Sequence, residues 1–235
     1  PYRQGARRVI CAVSGAHRTF LRNITMLAVA EFPEAYHDLC KYLALDAGIP
    51  YVEKWSAAAD FLQLLIDHVN STGPSQILEC GSGLTTIILA AACNRLGEGQ
   101  IVTLEQEGEY VQRIQQVLDQ YMLADRVEVI HAPLSTYQVD GRTFQWYSLD
   151  ALPDISADML VIDGPPGMLQ QHSRYPALPL LADHLSHKCH IFLDDAARQD
   201  EQEVVEQWAR LPGVSLEDYI ELERGCAHLV SGAQK

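Results

Sequence analysis

From residue 57 onward, two kinds of apolar segment alternate. Runs of five or six residues dense in Val, Ile and Leu read as buried strands, and longer stretches with apolar residues three and four apart read as helices. The first helix covers 57–69, with Ser56 as its N-cap and Phe61, Leu62, Leu65, Ile66 and Val69 at helical spacing. A turn at 71–75 leads to a strand at 76–80 and a helix at 85–96 that stops at Gly97. Strand 100–105, helix 109–123 and strand 126–132 follow. After a looser segment containing 144–149 come strand 158–163, a proline-rich loop, helix 177–187, strand 190–195 and helix 200–211. Residues 214–232 read as a hairpin about Arg224-Gly225. Strands separated by helices predict an α/β fold: a mostly parallel sheet covered on both faces, with antiparallel strands at one edge.

The first 50 residues carry less pattern. A short strand is expected at 7–15 and helical pieces at 21–29 and 34–48, the last stopped by Gly48 and Pro50. The chain therefore divides into a mostly helical extension, 1–52, and a main domain, 53–235. With 48% apolar and 20% charged residues in 235, a substantial core is affordable to the sequence. No apolar run approaches the ~20 residues that span a bilayer, and no secretory leader is read, so no membrane partner and a cytoplasmic location are expected. Cys11, Cys40, Cys80, Cys93, Cys189 and Cys226 are scattered without a CxxC pair, as buried reduced thiols would be. A net charge of −14 repels phosphate backbones and counts against nucleic acid. Arg3, Arg7, Arg8, Arg18 and Arg22 precede the first acid, Glu31. They read as a solvated or partner-binding arm, with an anion site as the other reading.

The chemistry begins where the 76–80 strand meets its helix, at Glu79-Cys80-Gly81-Ser82-Gly83. Ligands of doubly wound sheets bind beyond the carboxyl ends of the strands. A dinucleotide fingerprint would require a third glycine at position 86, where Thr86 stands, which weakens a pyrophosphate or nicotinamide reading. Glu105 ends the next strand, where a carboxylate can accept hydrogen bonds from both hydroxyls of a ribose. The glycine pair alone could be a tight turn. Together with Glu105 it points to a nucleoside cofactor.

The segments ILECGSGLTT, VTLEQEGEY, VIHAPL, LVIDGPPG and IFLDDAARQDE stand in the order found in class I S-adenosylmethionine-dependent methyltransferases. The series DGPPG, RYPALPLL and DDAAR most resembles the small bacterial O-methyltransferases, over roughly 53–231. The resemblance implies a Rossmann-like seven-stranded sheet with a reversed final hairpin. It implies that Glu79, Gly81, Ser82 and Gly83 line the amino-acid end of the cofactor, and that Glu105 holds the ribose with Gln106 beside it. Ala132 and Pro133, after His131, would border the adenine, and Asp163 would lie by the methionine moiety and the acceptor. The implied acceptor is a small or conjugated hydroxyl-bearing molecule: a sugar, phenol or secondary metabolite. A non-catalytic cofactor-binding scaffold of the same fold is the alternative. The extension 1–52 is a candidate homodimer contact or pocket cover.

Asp163 ends one strand, and Asp194 and Asp195 end the next. Adjacent parallel strands bring these carboxylates to one rim, where three oxygen ligands would suit Mg²⁺. The set is similar to that of catechol-type O-methyltransferases, but Asp195 replaces an asparagine and their lysine has no counterpart. Without a metal, Asp194 and Asp195 would cap a helix or pair with Arg198, and a base must be found elsewhere. His172 is the first candidate and His131 the second. Arg174 and Arg198 could anchor an anionic acceptor or pair with the acids. His184, His187, Cys189 and His190 read as structural. Trp55 and the pair Trp146-Tyr147 are pocket walls or core.

Overall fold

The computed structural model describes residues 33–232. The arginine-bearing arm, the elements expected at 7–15 and 21–29, and Cys11 lie outside the described residues.

In chain order the α-helices are α1 (His37–Tyr42), α2 (Ala59–Thr72), α3 (Leu84–Leu96), α4 (Gly108–Gln120), α5 (Ala177–Leu181) and α6 (Gln199–Trp208). The strands are β1 (Gln76–Cys80), β2 (Gln100–Glu105), β3 (Val127–His131), β4 (Leu134–Val139), β5 (Arg142–Tyr147), β6 (Ala157–Ile162), β7 (Leu185–Asp194), β8 (Val214–Ile220) and β9 (Cys226–Ser231). Seven of them form one sheet in the order β3-β2-β1-β6-β7-β9-β8. The strands from β3 to β7 in that order are parallel, and β9 runs antiparallel to both β7 and β8. The chain moves outward from β1 to β3 and then returns to lay β6 on the other side of β1. That reversal opens a crevice at the carboxyl ends of β1 and β6.

Strand periodicity of two sorts the core into layers. Ile77, Ile101, Met159, Val161 and Phe192 face α1 to α4, while Leu78, Val102, Leu160, Ile162 and Leu193 face α5, α6 and the β4–β5 hairpin. Helix α3 is buried on every side from Leu84 to Cys93, which explains its uninterrupted run of small and apolar residues. Tyr36, Leu39, Cys40, Leu45 and Ile49 join the same core, so residues 34–49 of the extension are an integral part of the layer that holds α2 and α3.

Three expectations are corrected. Ser56 does not cap α2: its Oγ accepts the Val52 N–H at 2.8 Å, and the helix begins at Ala59 after Ala58. The looser segment is an antiparallel hairpin, β4 with β5, occupying the place of a helix on the α5/α6 face. The helix expected at 177–187 ends at Leu181, because from Leu185 the chain is extended and pairs with Ala157 of β6. Among the described residues no helix is long and apolar enough to cross a membrane. The five described cysteines are free and buried.

Candidate functional site

Register alone brings four acids to one face. Glu79 pairs with Thr103 on β2 and with Val161 on β6, and Val161 pairs with Phe192 on β7. Two residues further along each strand, with the same parity, stand Glu105, Asp163 and Asp194. A cleft of about 430 Å³ opens above them. Gly81, Ser82, Gly83, Glu105, Gln106 and Asp163 line it, together with Trp55, Met168, Arg198 and Arg224.

The glycine loop is held from below. Gly81 has φ +95°, and a Cβ there would come within 3.1 Å of the Gly164 backbone, because the loops after β1 and β6 touch main chain to main chain. Gly83 differs: it is extended, and an added Cβ would meet only the Tyr110 hydroxyl at 3.7 Å. Thr86 accounts for the missing third glycine. Its Oγ1 accepts the Gly83 N–H at 2.9 Å and donates to Glu79 Oε2 at 2.6 Å, so it ties the start of α3 to β1. Glu79 therefore braces the loop from beneath and does not line the cleft. It is fully buried, its Oε1 has no hydrogen-bond partner, and burial raises its pKa to about 7.

Glu105 points into the cleft with its carboxylate fixed by two donors, Ser82 Oγ at 2.7 Å and the Glu107 N–H at 2.8 Å. Burial raises its pKa to about 7, with those two hydrogen bonds opposing the shift. A carboxylate so oriented retains lone pairs for a vicinal diol. The donor set thus fits a nucleoside, and the open space at Gly83 leaves room for a bulky ligand against the backbone.

The acids at the ends of β6 and β7 surround an arginine. Oxygens of Asp163, Asp194 and Asp195 lie within 4.8 Å of one another. Among them sits the buried guanidinium of Arg174, whose Nη2 is 2.8 Å from Asp195 Oδ2, 3.4 Å from Asp163 Oδ1 and 2.8 Å from the Asp163 carbonyl. Its Nη1 donates to the Asp194 carbonyl at 2.7 Å and lies 3.8 Å from Glu201 Oε1. Burial opposes the arginine's charge, but Asp163, Asp195, Glu201 and Asp194 together raise its pKa above the ordinary value. Arg198 pairs with Asp195 Oδ1 at 2.9 Å. Asp194 is fully buried and off the cleft, both its carboxylate oxygens lack hydrogen-bond partners, and burial followed by Asp195 raises its pKa. These residues do not fit the Mg²⁺ expected of them. The Arg174 guanidinium already stands against Asp163 and Asp195 and supplies positive charge at the place a cation would take.

A family model described as a methyltransferase domain matches residues 78–196, just over half of the chain. The chain belongs to that family. A search of curated protein sequences finds no match. Among solved structures, the methyltransferase domain is similar to an O-methyltransferase from Bacillus cereus in complex with SAH, at 17% identity and a TM-score of 0.60, over 92% of this chain and 97% of that one. It is also similar to the SAH-bound methyltransferase PaMTH1 of Podospora anserina, at 15% identity and a TM-score of 0.60, over 91% and 93%. The O-methyltransferase TomG of Streptomyces achromogenes, involved in tomaymycin synthesis and solved with SAM, matches at 15% identity and a TM-score of 0.58, over 92% and 96%. The shared fold is the Rossmann-like seven-stranded sheet with its antiparallel edge.

Other expected site residues of the methyltransferase domain fall elsewhere. His172 is not among the cleft-lining residues. Its Nε2 lies 2.7 Å from Glu203 on α6, its Nδ1 lies 3.3 Å from Arg142 on β5, and its N–H donates to Asp200. That arrangement locks the 167–176 loop onto α6 and turns the imidazole from the cleft. Ala132 is buried and spends its N–H on the Glu105 carbonyl at 2.7 Å, and Pro133 and His131 are exposed outside the lining. Trp146 is core, whereas Tyr147 and Trp55 line the cleft. His190 stacks on His228, and Cys189 faces the opposite core layer, so these two are structural. Sequence reasoning missed Lys54, Met168 and Arg224 as cleft residues and the central place of Arg174. The partners of Arg174 lie 11 to 27 positions away along the chain, and no local pattern marks them.

Proposed function

We propose that the protein is an S-adenosylmethionine-dependent methyltransferase that methylates an oxygen of a small or conjugated hydroxyl-bearing molecule, such as a sugar, phenol or secondary metabolite. The observation that carries this reading is the oriented, buried Glu105 carboxylate across a single cleft from the Gly81–Gly83 loop. Solved methyltransferases of the same fold with SAM or SAH bound support it, two of them O-methyltransferases. The cleft volume is in the range of small-molecule sites.

When bound, S-adenosylmethionine supplies a methyl group on a sulfonium, transferred in line to a nucleophile. In this reading Glu105 binds the ribose diol, and Gly83 admits the ligand against the main chain. The N-terminus of the 13-residue α3 favours the cofactor's carboxylate electrostatically. Asp163 faces the loop across the switch point, with its N–H on the Cys80 carbonyl at 3.1 Å and part of its carboxylate open to the cleft. It receives the hydroxyl proton as the acceptor's oxygen–methyl bond forms. Burial and Asp194 raise its pKa, against Arg174, which strengthens it as a base. Trp55 and Met168 supply apolar wall to the acceptor, with Lys54, Arg198 and Arg224 near them.

The test is incubation with methyl-labelled cofactor and a panel of phenols, sugars and their conjugates, with SAH release as readout. Transfer to one class that Asp163→Asn lowers by roughly 10²-fold or more is expected. SAM binding without transfer to any panel member would favour the scaffold alternative.

A further inference from the structure

We propose that Arg174 takes the place of a divalent cation in this site: its guanidinium neutralises the acids at the ends of β6 and β7, and transfer here needs no metal. The last clause rests on the methyltransferase reading above, while the charge argument stands on the contacts alone. Arg174 is almost entirely buried, and its two terminal nitrogens reach the carbonyls of Asp163 and Asp194, the carboxylates of Asp163 and Asp195, and Glu201 at longer range. A metal ion would need the same carboxylate and carbonyl oxygens that the guanidinium already occupies. The planar fork of an arginine also donates to the two strand-end carbonyls, so one side chain fastens β6 to β7 and orients Asp163 toward the cleft. Asp195 Oδ2 accepts from Arg174, and its other oxygen lies 2.9 Å from the half-exposed Arg198 guanidinium, an ion pair without a hydrogen bond. Glu201, on the first turn of α6, closes the network from the third side. With its two terminal nitrogens so directed, Arg174 is a positioning residue.

The experiment is titration of Mn²⁺, read by its electron paramagnetic resonance signal, into wild type, Arg174→Lys, Arg174→Ala and the double variant Arg174→Ala/Asp195→Asn. Wild type and Arg174→Lys are expected to leave the free-ion signal unchanged. Arg174→Ala uncovers the unpartnered Asp194 oxygens together with Asp163 and Asp195, and is expected to bind one Mn²⁺. The double variant should lose that ion, and low guanidinium concentrations should displace it from the single variant. Stoichiometric Mn²⁺ on the wild type that Asp195→Asn abolishes overturns the proposal. If Arg174→Ala does not fold, the wild-type and Arg174→Lys titrations still decide. SAM binding measured on the same samples separates the two readings, since its absence sinks the cofactor assignment and leaves the metal result standing.

Discussion

Gly81 and Gly83 are two residues apart and do different work. Gly81 has a left-handed backbone and meets Gly164 main chain to main chain, so Gly81→Ala should destabilise the fold by about 1–3 kcal/mol. Gly83 is under no such constraint, and Gly83→Val should keep the wild-type melting temperature while abolishing cofactor binding. A Gly83→Val protein that still binds would remove this loop from the cofactor site. Glu105 supplies a pH signature. Burial holds its pKa near 7 in the free protein, and hydrogen bonds from a ribose diol would stabilise the charged form. Binding then releases a proton, so affinity should rise with pH through 7 and flatten above it. Calorimetry in buffers of different ionisation enthalpy measures that proton. Glu105→Gln should erase it and weaken binding by roughly 1.5–3 kcal/mol, the range for a hydrogen bond to a charged group. A pH-independent affinity would contradict the assigned contact.

Helix α2 is fastened to the sheet partly by histidines. His68 packs on His190 of β7 and Phe192, and His190 Nδ1 lies 3.0 Å from His228 Nε2 on β9. Burial lowers the pKa of His68 to about 4, and His190 and His228 add to the shift. Between about 4 and the ordinary value of 6.5 the unfolded chain binds a proton here that the folded chain does not. This group therefore costs stability as pH falls through that window, and the loss is absent above it. His68→Phe should lose less stability than the wild type between pH 7 and 5, read from urea midpoints; an equal loss would show that the cluster is not responsible. The parallel strands were legible because burial on both faces demands unbroken apolar runs. The β4–β5 hairpin was not read, although Asp140-Gly141 between alternating strands is a turn signature, and both residues do have positive φ. The end of α5 was unreadable for a different reason. Residues 182–187 are compatible with a helix, and only pairing with β6 makes 185 onward a strand.

Across the whole domain, the core does not stop at residue 53. Tyr36, Leu39, Leu45 and Ile49 pack with α2 and α3, and the Tyr36 hydroxyl donates to the Ala57 carbonyl at 2.9 Å. Asp60 in turn accepts the Glu223 N–H at 2.6 Å, joining the front of α2 to the turn between β8 and β9. A chain begun at residue 53 should therefore melt well below the full protein, and equal melting temperatures would make 34–49 a dispensable layer. The glycine loop and the strand-end acid of the proposed cofactor site were legible because they are local features one strand apart. The rest of the cleft was not, since Trp55, Met168, Arg174 and Arg224 meet only through the fold. The decisive measurement is calorimetric titration of the full chain with S-adenosylmethionine at pH 8, in Mg²⁺ and again in EDTA. One site of micromolar affinity, equal in both buffers, is the expected result. No binding by folded protein in either buffer would contradict the methyltransferase reading, leaving the family's fold without its cofactor.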